Sequence, residues 1–63
     1  MTKSQFTRQY KTSVLLFQSL DIPNENIDKA FTHIADEFDN GDLKNASNHL
    51  IEVTDKIIEI LES

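Results

Sequence analysis

Sixty-three residues with a net charge of −5 and no cysteine allow one small domain over 1–63, held together without disulfides or thiolate metal sites. A chain this short hides only about 60% of its unfolded surface, so its core must be packed efficiently or shared with a second copy. The acidic balance makes it a poor direct ligand for nucleic-acid phosphates. No run is long enough to span a membrane and no secretory leader pattern is visible, which points to a soluble, cytoplasmic protein.

The charge is unevenly distributed. Residues 1–20 carry Lys3, Arg8 and Lys11 and no acid, whereas residues 21–63 carry all eleven acids against Lys29, Lys44 and Lys56. The lone glycine and the lone proline both fall between periodic segments, leaving little material for loops. The expected fold is all-α, a short three-helix chain with helices at about 4–20, 23–39 and 43–61, built on an antiparallel hairpin and expected to pair with a second copy as a dimeric helical bundle.

In the first segment Phe6, Tyr10, Val14 and Phe17 recur at helical spacing. Ser4 is the expected cap, and Ile22 before Pro23 is pushed toward extended backbone, which ends the helix. Leu15 and Leu16 point away from the main apolar line, toward a further contact. In the second segment Ile27, Ala30, Phe31, Ile34 and Phe38 form the stripe. Proline is tolerated in a first helical turn, so either Asp21 or Asn24 can cap this helix. The third segment is the most regular. Leu43, Ala46, Leu50, Val53, Ile57 and Ile60 alternate spacings of three and four, an a/d seam. Ile51, Ile58 and Leu61 widen it enough for two neighbours.

The stretch "DNGDL" (Asp39 to Leu43) reads as the turn of an antiparallel helical hairpin. Gly41 supplies the left-handed residue that ends one helix, and Asp42 caps the next. A calcium loop does not fit. With Gly41 in the sixth place, Asp36 is first but Phe38 is third and Ser47 twelfth, so two required ligands are missing. His33 and His49 belong to no zinc motif, and His49 precedes Glu52 in the reverse of the Glu-x-x-His order of di-iron bundles. They read as surface or boundary histidines with no orienting carboxylate. No catalytic, cofactor-binding or metal-ligating residue is assigned, because no nucleophile–base pair or phosphate loop is present.

From Gly41 onward, "GDLKNASNHLIEV" resembles the second helix of a tetratricopeptide repeat. Gly41, Leu43, Ala46, Leu50 and Val53 fill that family's turn, small and large apolar positions. In the same register His33 and Glu37 fall on apolar positions of the repeat's first helix, and Ile34 on its small position. The resemblance covers one repeat, where a solenoid needs about three. It implies a helical hairpin packed in that manner.

Acid placement points to a function at the surface. Asp36, Glu37 and Asp39 crowd the end of the second helix, and Glu59 and Glu62, with Asp55 a turn before them, the end of the third; the dipole disfavours negative charge in a last helical turn. The first group can face Lys3, Arg8 and Lys11 if the helices run up, down and up. The second has no such cluster to face. The expected function is that of a small, non-enzymatic regulator or inhibitor that binds another protein. One form of it presents carboxylates to a basic or nucleic-acid-binding partner where phosphates would sit. Partner-binding candidates are Asp36, Glu37, Asp39, Asp55, Glu59 and Glu62. The alternatives are a structural module that assembles as a homodimeric helical bundle and an immunity- or antitoxin-like neutraliser. A dimer or core seam would use Leu15, Leu16, Leu43, Leu50, Val53, Ile57, Ile58 and Leu61. Direct DNA recognition fits poorly, since the would-be recognition helix carries only Lys44 and one histidine in its first half.

Overall fold

The computed structural model describes residues 1–63 and contains three α-helices and no strand: α1 (Lys3–Ser19), α2 (Glu25–Asp39) and α3 (Leu43–Glu62). Each helix begins at a side-chain cap. For α1 the cap is Thr2 and not the expected Ser4. Thr2 has Gln5 three residues on, and the two close a capping box. The Gln5 N–H donates to Thr2 Oγ1 at 3.1 Å, and the Thr2 N–H to Gln5 Oε1 at 2.9 Å. Asn24 caps α2, accepting from the Ile27 N–H at 3.1 Å, so Pro23 lies before the helix and not in its first turn. Asp42 caps α3 as expected, accepting from the Asn45 N–H at 3.3 Å.

The helix ends are equally specified. Gly41 is left-handed (φ 84°). Its N–H reaches the Phe38 carbonyl at 3.0 Å, and the Asp42 N–H reaches that of Glu37 at 2.9 Å, which is a Schellman closure. At the end of α1 the left-handed position is taken by Asp21 (φ 54°), a conformation that costs a side-chain-bearing residue energy.

Eight residues form the core: Phe6 from α1, Ile27, Phe31 and Ile34 from α2, and Ala46, Leu50, Val53 and Ile57 from α3. The seam of α3 therefore faces inward as far as Ile57, whereas Ile60, past the reach of the other helices, is 40% exposed, and α3 packs against both other helices. The longest dimension of the molecule, 33 Å, is close to the ~30 Å length of a twenty-residue helix, so α3 is its spine. Aromatic rings join α1 to α2. Phe6 stacks on Phe38 with centroids 4.5 Å apart, and Tyr10 meets Phe31 edge-on at 5.6 Å. Phe17 also approaches Phe31, at 5.9 Å. The start of α1 thus lies beside the end of α2. The Tyr10 hydroxyl donates to the Phe31 carbonyl at 3.3 Å, and burial pushes the pKa of its phenol up.

The contact between α1 and α3 includes a polar chain beside the apolar core. Thr54 gives its only hydroxyl proton to the Leu50 carbonyl at 2.7 Å. The 2.7 Å contact between Ser13 and Thr54 must then have Ser13 as donor. Gln9 in turn donates to Ser13 at 3.0 Å. This chain satisfies a serine that is completely buried. Nearby on α3, the buried Ser47 hydroxyl has no partner.

Candidate functional site

One polar cluster spans α2 and α3. His33 and Glu37 are four residues apart on α2, hence on one face. The turn at Gly41 then folds α3 back so that His49, in its second turn, meets Glu37. Glu37 is mostly buried, with 14% of its side chain exposed, against 41% for His49 and 67% for His33. Glu37 Oε1 lies 2.6 Å from His49 Nδ1 and 3.7 Å from His33 Nε2. A carboxylate can only accept, so His49 Nδ1 carries the proton and donates it. That hydrogen bond holds the His49 pKa above its ordinary value; desolvation opposes it, and the charges of Glu37, Glu52 and Asp42 add to it. The two imidazole rings are 5.7 Å apart. They border a groove of about 180 Å³ whose floor includes Ile27, Ile34 and Val53 and whose rim includes Asn26 and Lys56. The chain has two contacts between oppositely ionisable groups within 4.0 Å, and both belong to Glu37.

In the sequence these histidines have no orienting carboxylate; in the structure Glu37 is that carboxylate, brought to His49 by the fold and not by a local motif. Of the six acids named as partner-binding, Glu37 turns inward to the histidines. Asp36, Asp39, Asp55, Glu59 and Glu62 are all exposed. The pairing of Lys3, Arg8 and Lys11 with Asp36, Glu37 and Asp39 does not form, although the helix ends are adjacent. Phe6 and Phe38 fill the space between them. Lys11 and Asp39 stand at the border of the same depression over those rings without an ion pair. The three cations of α1 instead line an open basic surface with Ser4 and Thr7.

The apolar seam residues divide into three groups. Leu50, Val53 and Ile57 lie in the core, Leu16 and Leu43 are half-buried, and Leu15, Ile58 and Leu61 are exposed. Ile51, Asp55, Ile58 and Glu62 follow one another at spacings of four, three and four, which draws a mixed apolar and acidic line along α3. Ile51 shares a shallow depression with Met1 and Gln9, so this line runs along the outer edge of the α1–α3 contact. Gly41 and Asp42 are occupied by the turn itself.

Fold and site together define a small all-helical protein with a cross-helix His–Glu–His cluster and a surface of segregated charge. Against protein-family models, curated proteins and solved structures, the chain matches none. No helix is long and apolar enough to cross a membrane.

Proposed function

We propose that the chain is a small acidic regulator or inhibitor that works by binding another protein through its surface, with no catalysis of its own. The observation that carries this reading is the line on α3. Asp55, Glu59 and Glu62 are exposed, have no cation within ion-pair range, and stand beside the open Ile51 and Ile58. Apolar side chains flanked by carboxylates suit a partner with a basic rim around an apolar contact. Asp36 and Asp39 extend the negative surface at the other end of the molecule. An immunity-like role is one form of this reading, in which the partner is a cognate toxin.

The test is capture of partners by the wild type and by an Asp55→Asn, Glu59→Gln, Glu62→Gln variant, at low and high salt. The expected result is a partner bound by the wild type at low salt, lost in the variant and weakened as salt rises. Retention of that partner by the variant, or affinity indifferent to salt, refutes the reading.

A second reading is self-association as a dimeric helical bundle, built on a hairpin of α2 and α3. It is favoured by seven large apolar side chains left open: Met1, Leu15, Ile22, Ile51, Ile58, Ile60 and Leu61. Ile58→Asp and Leu61→Asp discriminate, because both residues are exposed. Sedimentation should then show a dimer for the wild type and a monomer for the variants. A wild-type monomer at high concentration removes this reading. Ile57→Asp is not informative here, since Ile57 lies in the chain's own core.

A further inference from the structure

Two imidazoles and a carboxylate converge where α2 and α3 meet, and a hydrogen bond alone does not need all three. His49 and Glu37 would suffice to join the helices. His33 adds a third donor, since its Nε2 faces the same carboxylate oxygen. The three donor atoms lie within 4.8 Å of one another.

We propose that His33, Glu37 and His49 form a binding site for a single divalent transition-metal ion, with zinc as the type case. The donors would be His33 Nε2, a Glu37 carboxylate oxygen and His49 Nδ1. Bond lengths of about 2.0–2.1 Å to nitrogen or oxygen place tetrahedral donors ~3.3 Å apart. The His33–Glu37 separation of 3.7 Å is already close to that. The His49–Glu37 contact, at 2.6 Å, has to open by roughly 0.7 Å. In doing so it exchanges its bridging proton for the metal. One ring nitrogen of each histidine lies within 4.8 Å of one from the other, so the two imidazoles have to approach by about 1.5 Å. His33 is mostly exposed, so rotation of its side chain supplies that movement without repacking the core.

The donor set selects the ion. Two neutral imidazoles favour zinc, cobalt, nickel or copper over calcium and magnesium, which prefer all-oxygen shells. Three protein ligands leave at least one coordination position open. The exposure of His33 turns that position toward solvent, where water or an incoming ligand completes the shell. The ion would also tie α2 to α3 beyond the Gly41 turn, so metal binding and folding would be coupled.

The experiment is zinc titration of chelator-treated protein by calorimetry, with Co2+ as a spectroscopic probe and thermal melts with and without zinc. The variants are His33→Ala, Glu37→Gln and His49→Gln, with Asp36→Asn/Asp39→Asn as the acid control. The expected result is one saturable zinc per chain and visible Co2+ bands of four- or five-coordinate geometry. At free zinc about a hundredfold above Kd, the melting temperature should rise by about 10 °C or more. Affinity should fall by at least ~10-fold in each ligand variant and stay unchanged in the acid control. His33→Ala is decisive, because an exposed residue can be truncated without loss of fold, and its metal-free melt should match the wild type. No saturable binding, Co2+ spectra of the hexaaquo ion, or equal affinity in wild type and His33→Ala would overturn the proposal. The cluster would then be an ion pair only.

Discussion

Ile57 and Ile58 are neighbours in sequence, identical in chemistry and opposite in placement. Ile57 is 0% exposed and Ile58 is 38% exposed. Truncating each to alanine isolates the effect of position. For Ile57 the loss combines the transfer energy of the removed carbons with the cavity they leave, about 2–5 kcal/mol. A 63-residue chain has a total stability of about 3–9 kcal/mol, so this one change removes a large share of it. For Ile58 more than a third of the side chain is already in water. The loss is at most about 1 kcal/mol, and alanine's better helix propensity offsets part of it. The assay is urea unfolding followed by far-ultraviolet circular dichroism. With an m-value of about 1 kcal/mol/M, Ile57→Ala should lower the midpoint by ~2 M or more and Ile58→Ala by less than ~1 M. Equal shifts, or a larger shift for Ile58→Ala, would refute the assignment of inner and outer faces to α3.

Other outcomes follow from single positions. Asp21 holds a left-handed backbone, so Asp21→Gly should raise stability by about 0.5–1 kcal/mol. Gly41→Ala should lower it by about 1 kcal/mol through backbone strain alone, because an added Cβ meets no atom within 4 Å. Urea midpoints check both, and the same sign for the two would contradict the loop geometry. Removing the unpartnered Ser47 hydroxyl by Ser47→Ala should stabilise the chain by about 1 kcal/mol, whereas Ser13→Ala breaks a satisfied chain of hydroxyls and should destabilise it. In metal-free buffer the His49–Glu37 bond gives a pH dependence. The folded pKa of His49 is raised above its ordinary value of 6.5, so its contribution is full below that value and is lost as pH rises through the folded one. Wild type should therefore lose stability relative to His49→Gln between mildly acidic and mildly basic pH, and parallel curves would remove the effect.

Much of the architecture was legible because it is local. Spacings of three and four place Leu50, Val53 and Ile57 on one face whatever the neighbours are, and glycine at 41 with aspartate at 42 can be read as a stop and a start. The cap of α1 lies two residues before Ser4, because Thr2 has a glutamine at the distance a reciprocal box requires and Ser4 has none. The His–Glu–His cluster was not legible as a site. Its members are separated by a turn, and only the packing of α2 on α3 brings them together. One trace did exist: His33 and Glu37 occupy positions where a tetratricopeptide-like hairpin would be apolar. Glu37, a carboxylate with only 14% of its side chain exposed, is the one of the two that turns inward, and a polar residue there is a sign of company from the facing helix. The unformed pairing of Lys3, Arg8 and Lys11 with the acids of α2 has a different cause. Exposed charges gain little from pairing in water, and the aromatic rings between them set the helix separation.

The inner and outer faces assigned to the three helices rest on a core completed within one chain. Isotope-filtered NMR on a mixture of labelled and unlabelled protein measures this directly. Nuclear Overhauser contacts between Phe6 and Phe38, and between Ser13 and Thr54, should appear within single molecules and be absent between molecules. The same contacts appearing between a labelled and an unlabelled chain would mean that α1 is exchanged between copies, and would contradict a core closed within one chain.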